Sequence, residues 1–374
     1  MTGPSVVPRF AAGAFRRPTL PAYDAPMPDA DAYAYDLPRE LIAQEPLADR
    51  SAARMLVVRR SDGALAHRHV RDLVELLRPD DLLVVNDTRV VPARLEGRRK
   101  QTGGRWEGLW LESLADGVWR LLAHTRGRVA IGERIVLVDA DGADRFTLEM
   151  TGRGPGGTWL ARPDQAGTVE ELLGAVGRVP LPGYIRGGDA RADDLPRYQT
   201  VFARLAGSAA APTAGLHFTP ALLAALADRG IGMARVTLHV GIDTFRPIAV
   251  DNLDDHPMHS EWCDCPPETV AAVAAARARG GRVVAVGTTA VRTLETAAAA
   301  GTLAPWSGPT SLFIRPGHTF RAVDCLLTNF HMPRTTLMVL VSTFAGRELV
   351  ERAYAEAIAQ RYRFLSYGDC VLFG

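Results

Sequence analysis

The sequence lacks long apolar runs, an excess of charge of either sign and a disulfide-type spacing of cysteines. Its densest apolar run, residues 337–341, is far shorter than the roughly 20 residues of a membrane helix, so we expect no membrane association. The net charge of +1 provides no overall field that attracts nucleic acid, so such a partner requires a local basic patch. The spacing of the four cysteines and the missing secretory signal pattern predict a cytoplasmic location.

Two widespread motifs are missing as well. The chain contains no Gly-Lys-Ser/Thr and no Gly-x-Ser-x-Gly, which disfavours a P-loop nucleotidase and an α/β-hydrolase. Lysine is scarce too, since Lys100 is the only one. Arginine supplies the rest of the positive charge, and we attribute this bias to genome composition.

The 374 residues are enough for about two domains. Residues 1–32 are rich in Pro, Ala and Asp without a period, which predicts a flexible extension. Short segments of period two, separated by Gly and Asp turns, predict a small antiparallel β-barrel at 81–163. Helix and strand patterns alternate in 33–80 and 164–374. They predict a discontinuous α/β domain, an α/β/α sandwich-like structure around a largely parallel sheet, into which the barrel is inserted.

Residues 210–219 place a hydroxyl, a glycine and an imidazole directly before a predicted helix. Thr219 suits the N-cap and Pro220 the first helical position. The N–H groups at a helix N-terminus are free to bind a carboxylate, a phosphate or a ribose. Thr213, Gly215 and His217 are therefore candidate ligand-binding residues. In the alternative interpretation they only shape a loop and His217 packs in the interior.

Polar turns also follow three predicted strands, at His239-Val240-Gly241, Gly287-Thr288-Thr289 and Thr328-Asn329-Phe330-His331. Ligands of open α/β sheets bind at the carboxyl ends of strands, so we expect these turns to share one cleft with residues 213–217. Each turn alone has a structural alternative: the histidines can pack, and Gly-Thr-Thr can cap a helix.

Two further clusters leave alternatives open. His256, His259, Cys263 and Cys265 are close in sequence, but Cys-x-Cys is tighter than the usual gap of structural zinc sites, so we predict no metal there. His259 and Glu261 remain candidate polar site residues. A basic strip with nearby Trp106, Trp110 and Trp119 fits either a phosphate backbone or a solvated barrel face over buried tryptophans. It consists of Arg89, Arg94, Arg98, Arg99, Lys100 and Arg105.

The polar turns belong to a longer set of motifs spread in order over about residues 33–373. This set resembles the S-adenosylmethionine:tRNA ribosyltransferase-isomerase family of queuosine biosynthesis. The matching segments include Asn86-Asp87-Thr88-Arg89-Val90, Met258-His259-Ser260-Glu261 and Ser366-Tyr367-Gly368-Asp369, with residues 35–38, 41–44, 92–95, 198–200, 210–219, 236–241, 244–247, 285–289, 291–295, 326–331 and 362–364.

The resemblance implies an enzyme that transfers the ribosyl part of S-adenosylmethionine, not its methyl group. The acceptor is the aminomethyl group of a 7-deazaguanine at the tRNA wobble position, an epoxycyclopentanediol forms, and adenine and methionine leave. S-adenosylmethionine is then a co-substrate, tRNA binds through its anticodon stem-loop, and no metal takes part. We expect a monomer.

Imidazoles suit proton transfer near neutral pH, so we predict that the general base and acid are among His217, His239, His259 and His331. Residues predicted to orient them or to bind substrate are Asp87, Thr213, Gly215, Glu261, Thr288, Thr289, Asn329 and Asp369. Residues predicted to bind the anticodon stem-loop are Arg89, Arg94, Arg98, Arg99 and Lys100.

The sequence departs from the family pattern near the cleft, where Ile242-Asp243 stands in place of two small residues. An added carboxylate at Asp243 favours an altered acceptor. Two alternatives to the family reaction follow: a transferase that consumes S-adenosylmethionine with a non-tRNA acceptor, and a non-catalytic RNA-binding relative.

Overall fold

A nine-stranded mixed sheet is the framework of the protein. The computed structural model describes residues 29–114, 116–191, 193–241 and 247–374. Within these ranges the strands follow the order β16 (Trp306–Thr310), β14 (Glu261–Cys265), β13 (Gly232–Leu238), β3 (Leu82–Asn86), β15 (Val283–Val286), β17 (Cys325–Asn329), β18 (Cys370–Phe373), β1 (Arg54–Val58) and β2 (Leu65–His69). Strands β13, β3, β15 and β17 pair in parallel, so their carboxyl ends meet at one edge of the sheet.

Helices cover both faces of this sheet. One face carries α1 (Leu73–Leu76) and α4 (Pro220–Asp228), and the other carries α5 (Pro267–Ala278), α6 (Thr288–Ala297), α7 (Thr336–Ala345) and α8 (Arg347–Ala359). Strand β15 shows the division, because Val284 and Val286 pack with the first layer while Val283 and Ala285 pack with the second. The predicted three-layer α/β fold is confirmed.

The sheet is mixed, where the sequence predicts a largely parallel one. Strand β18 runs antiparallel to β17, with Asn329 opposite Cys370. The physical reason is the connection, since α7 and α8 together return the chain to the edge at which β17 ended. The edge strands β2 and β16, and β14 next to β16, also pair antiparallel with their neighbours.

A closed six-stranded antiparallel barrel forms the smaller domain. It consists of β5 (Arg94–Arg99), β6 (Arg105–Ser113), β7 (Trp119–Thr125), β8 (Arg134–Val138), β9 (Asp144–Arg153) and β10 (Trp159–Pro163), and pairing of β5 with β8 closes it. The core of the barrel includes Trp106 and Trp119, and α2 (Val169–Val176) packs against it. After α2, β11 (Gly177–Arg178) pairs with β5 before the chain returns to the larger domain through α3 (Asp194–Arg197). A two-stranded sheet of β4 (Thr88–Val90) and β12 (Leu205–Ser208) lies at the junction.

The predicted segment boundaries differ from the structure at two places. The predicted barrel begins at residue 81, but β3 is a central strand of the large sheet and the first barrel strand starts at Arg94. The error arises because strand patterns follow one another without an interruption there. The predicted extension 1–32 also ends earlier, since Ala30 is buried and its N–H donates to Asp251 O at 2.9 Å. Residues 1–28 lie outside the described ranges.

Two glycines near the barrel junction are expected to respond oppositely to alanine. A Cβ at Gly177 would lie 1.8 Å from Pro92 O, whereas at Gly174 in α2 it meets nothing within 4 Å. Gly177→Ala should lower the free energy of unfolding by about 2 kcal/mol or more, because the backbone must shift. Gly174→Ala should raise it by about 0.5–1 kcal/mol, through helix propensity. Urea titration measures both, and equal effects of the two substitutions would contradict this packing.

Candidate active site

A cleft opens at the edge where the parallel strands end. Segments 211–214, 287–289 and 328–332 line it together with Val240 and Thr335. Of the predicted site residues, the cleft brings together Thr213, Thr288, Thr289, Asn329 and His331. Three of the four polar turns contribute polar side chains to this pocket and the fourth contributes Val240, as the strand-end rule predicts.

The N-terminus of α6 borders the cleft without a side-chain cap. Gly287, which precedes it, has φ of 88°, a conformation that disfavours residues with a side chain. Thr289 is 8% exposed, and among the described residues its Oγ1 has no hydrogen-bond partner. A buried polar atom without a partner costs about 1–3 kcal/mol, a cost that a polar ligand at the first turn of α6 would remove.

Asn329, the last residue of β17, connects the cleft with His217. Its Nδ2 donates to Leu365 O at 3.0 Å and lies 3.4 Å from His217 Nε2. Its Oδ1 has no partner within the described ranges. Burial lowers the pKa of His217 to about 4, and the nearby Arg363 and Arg50 act in the same direction. Gly215 is structural, since a Cβ there would lie 3.0 Å from Thr200.

His331 is the predicted imidazole that lines the cleft. Its Nε2 lies 2.9 Å from Thr328 Oγ1, and its backbone N–H donates to the Tyr354 hydroxyl at 3.1 Å. Burial lowers the pKa of His331 to about 3. The ring is therefore neutral at neutral pH and can accept a proton.

His239 and Asp87 lie together outside this lining. His239 Nδ1 is 2.8 Å from Thr88 Oγ1, and the ring stacks on Trp262 with centroids 5.3 Å apart. Asp87 accepts from Thr237 Oγ1 at 2.7 Å and from Arg204 Nε at 2.9 Å. Val240 lines the cleft, whereas His239 is not among its lining residues and packs on Trp262 instead.

His259 and Glu261 form a buried ion cluster with Arg292. Glu261 Oε1 accepts from Gly241 N at 2.9 Å, and its Oε2 pairs with Arg292 and lies 3.6 Å from His259 Nε2. Burial acts to raise the pKa of Glu261, but the Arg292 guanidinium outweighs it and the pKa falls to about 2. Glu261 is thus a fixed negative charge that holds the end of β13 to α6.

Asp369 braces the chain before β18. It accepts from the backbone N–H groups of Arg54 at 2.9 Å and Arg363 at 2.8 Å. Burial raises the pKa of its carboxyl, against the opposing effect of these hydrogen bonds. It is not among the residues that line the cleft.

The predicted basic strip is largely neutralised on the barrel. Its arginines pair with carboxylates: Arg89 with Glu170, Arg94 with Glu107, Arg98 with Asp144, and Arg99 with Glu133. The nearby Trp106, Trp110 and Trp119 are buried, as in the solvated-face alternative. Lys100 is exposed, and no salt bridge joins it to any residue of the described chain.

Other predicted features can be placed only in part. No group of three or more His, Cys, Asp or Glu within residues 29–114, 116–191, 193–241 and 247–374 is arranged to hold a metal. In the same ranges no helix is long and apolar enough to cross a membrane. Asp243 lies outside the described residues.

Sequence reasoning missed several residues of the site. Thr328 immediately precedes Asn329 on β17, so the strand-end rule was sufficient to find it. Tyr184 and Ser366 also line the cleft, with their hydroxyls 2.8 Å apart, but they come from loops 182 positions apart in the chain. No local sequence pattern identified Arg292 as a site residue, because its ion-pair partner Glu261 lies on another element.

The three-layer fold, the inserted barrel and the polar cleft at the strand ends define a two-domain α/β enzyme. The family described as queuosine biosynthesis protein matches residues 30–373. S-adenosylmethionine:tRNA ribosyltransferase-isomerase from Symbiobacterium thermophilum is 51% identical over 343 residues, covering 91% of this chain and 98% of the relative. The protein of the same name from Xanthomonas oryzae is 51% identical over 353 residues, covering 91% and 95%.

A solved structure agrees with these relatives. The crystal structure of S-adenosylmethionine tRNA ribosyltransferase from Thermotoga maritima is 37% identical, covers 92% of this chain and all of that chain, and has a TM-score of 0.53. The chain belongs to the queuosine biosynthesis protein family, which confirms the resemblance of the motifs.

The buried imidazoles make stability depend on pH. The folded-state pKa values of His217 and His331, about 4 and about 3, lie below the usual 6.5. The unfolded chain therefore binds more protons below pH 6.5, and stability that is full above this pH is lost as the pH falls. Each group contributes a slope of up to about 1.4 kcal/mol per pH unit.

His331→Gln should therefore reduce the slope of the unfolding free energy against pH, between pH 6.5 and 5, by up to the contribution of one proton, about 1.4 kcal/mol per pH unit. Urea titrations at several pH values measure it, and the values at pH 8 separate the general cost of the substitution. A slope equal to that of the unsubstituted protein contradicts a neutral, buried His331.

Proposed function

We propose that this protein transfers and isomerises the ribosyl group of S-adenosylmethionine onto 7-aminomethyl-7-deazaguanine at the wobble position of tRNA. The products are epoxyqueuosine in tRNA, adenine and methionine. The observation that carries the proposal is the convergence of Thr213, Thr288, Thr289, Asn329 and His331 in one cleft of a chain from this family. The protein acts as a monomer in the cytoplasm, where tRNA is modified.

The reaction needs a base beside the sulfonium. The positive sulfur acidifies the neighbouring 5′ carbon of the ribosyl group, and a neutral imidazole can remove the proton. We assign this role to His331, because it is the predicted histidine that lines the cleft. When Nε2 carries the ring hydrogen and donates it to Thr328, Nδ1 is left as the basic atom.

The other predicted residues take supporting roles in this proposal. Thr213 and Thr288 hold ribose hydroxyls, and His217 lies behind Asn329, one contact away from the substrate. Asp87, Glu261 and Asp369 are bound by neighbouring groups of the protein, so they hold the chain segments around the cleft. His239 and His259 lie outside the lining, and no proton transfer is assigned to them.

A second cavity, of about 600 Å³, provides a route for the acceptor. It lies between the barrel and the linker 180–184, and Tyr184 and Met332 line both this cavity and the cleft. Leu109 and Leu122 give it an apolar wall that suits a nucleobase, and the ion pair of Arg94 with Glu107 lies in the same lining. We propose that the wobble nucleotide reaches the cleft through this acceptor cavity. Arg89, Arg98, Arg99 and Lys100 then contact the anticodon stem beyond it.

Activity is tested by incubating the protein with S-adenosylmethionine and tRNA that carries the aminomethyl deazaguanine. Adenine, methionine and a heavier nucleoside should appear. His331→Asn should reduce adenine release by about 10²–10⁴-fold, the usual contribution of a general base. His69→Asn, on the exposed strand β2, is the matched control and should retain activity.

The outcomes separate the alternatives. Turnover with small amines or free modified base, but none with tRNA, favours the transferase with a non-tRNA acceptor. Cofactor binding without turnover favours the RNA-binding relative. A His331→Asn variant as fast as the unsubstituted protein leaves the reaction in place and removes the base assignment.

The role of the acceptor cavity in tRNA binding is tested by placing a negative charge on the part of its wall that the barrel forms. Leu122→Glu should raise KM for tRNA about tenfold or more through repulsion of phosphates, while KM for S-adenosylmethionine stays unchanged. Leu114→Glu, at an exposed barrel position outside the cavity, is the control. Equal KM values for tRNA in both variants would place the acceptor elsewhere.

A further inference from the structure

Two unpartnered polar atoms belong to residues that line the cleft. Thr289 Oγ1 and Asn329 Oδ1 have no hydrogen-bond partner in the described part of the chain, and their residues are only 8% and 2% exposed. The Thr289 hydroxyl can donate a hydrogen bond, and Asn329 Oδ1 can accept one. The cleft therefore offers one site for an anion and one site for a hydrogen-bond donor.

The uncapped N-terminus of α6 reinforces the anion site. Its first N–H groups lack intrahelical acceptors, and the helix dipole favours negative charge there. The N-terminus of α7 borders the same cleft, but Thr335 caps it by accepting from Met338 N at 3.3 Å. An anion is therefore directed to α6 rather than to α7.

The two sites lie at the carboxyl ends of neighbouring strands and line the same cleft. Strands β15 and β17 are neighbours, with Gly287 N donating to Leu327 O at 2.8 Å, and adjacent strands lie about 4.8 Å apart. Thr289 follows the end of β15 in the first turn of α6, and Asn329 ends β17. An α-amino acid carries its carboxylate and its ammonium on a single carbon, so it suits a donor and an acceptor held by neighbouring strands.

The charge of the lining selects the kind of anion. No arginine, lysine, aspartate or glutamate is among the described residues that line the cleft. A phosphate would keep most of its charge uncompensated in such surroundings, whereas an amino-acid zwitterion brings its own balancing charge. Neutral donors and acceptors together with a helix N-terminus are sufficient for a zwitterion.

We propose that the first turn of α6 binds the methionine carboxylate of S-adenosylmethionine. The Thr289 hydroxyl donates to this carboxylate, and the α-ammonium donates to Asn329 Oδ1. The identity of the ligand rests on the proposed function, but the assignment of its two ends rests on the cleft. It makes Thr289 a specificity residue for substrates that carry a free carboxylate.

The test combines ligand and protein changes in one cycle. Equilibrium dialysis measures the binding of S-adenosylmethionine, of its decarboxylated analogue and of its analogue without the α-amino group. The proteins are the unsubstituted chain, Thr289→Val, Thr289→Ser and Thr343→Val. Thr343 is the matched control, because its hydroxyl donates to Val339 O at 2.8 Å inside α7, away from the cleft.

Thr289→Val should weaken S-adenosylmethionine binding about 10–100-fold, the usual range for a hydrogen bond to a charged group. Thr289→Ser should restore binding to within about threefold, and Thr343→Val should bind as the unsubstituted chain does, since neither change removes the contact. The decarboxylated analogue should bind the unsubstituted chain and Thr289→Val equally. The analogue without the amino group should bind the unsubstituted chain about tenfold more weakly than S-adenosylmethionine does.

The cycle can overturn the proposal even if a variant folds poorly. Equal binding of S-adenosylmethionine and its decarboxylated analogue to the unsubstituted chain overturns it, as does an equal loss for both ligands in Thr289→Val. Adenine release with tRNA, measured in parallel, reports on the function separately. If Thr289→Val weakens only the ligand that carries the carboxylate but no adenine is released, the binding site is supported and the proposed reaction is refuted. If adenine is released but Thr289→Val weakens both ligands equally, the reaction is supported and the binding site is refuted. Absence of any S-adenosylmethionine binding refutes both.

Discussion

The parallel pairing of β13, β3, β15 and β17 is the constraint on which the site depends. These strands are paired residue by residue from Gly232 opposite Leu82 to Val286 opposite Leu327. Parallel strands have to end at the same edge, so the turns that follow them meet without any direct attraction between their side chains. The buried apolar residues of the strands thereby position polar groups that contribute little to the stability of the fold.

Burial then determines the chemistry of that edge. His217 and His331 are buried there, and burial lowers both pKa values, so their rings are neutral near pH 7. The same burial leaves Thr289 and Asn329 with atoms that no described residue satisfies. The lining is therefore uncharged, and the charged pairs, such as Glu261 with Arg292, stand behind it as supports.

The site residues that could be predicted from the sequence are those whose position follows from the local order of strands and turns. Thr288, Thr289, Asn329 and His331 follow strands, and the rule for strand ends placed them in one cleft. His239 also follows a strand, but which way its ring points depends on the alternation between faces. Ion pairs such as Arg99 with Glu133 join residues that pair only when the barrel closes, so no local pattern in the chain shows that the basic strip is neutralised.

Tyr184, like Met332, forms part of the wall of both cavities. It lies in the linker that leaves the barrel, and its hydroxyl is 2.8 Å from that of Ser366 on the larger domain. Because this linker joins the two domains, any change in the position of the barrel would also move a wall of the cleft. The phenol ring thus makes the shape of the inner chamber depend on where the smaller domain stands.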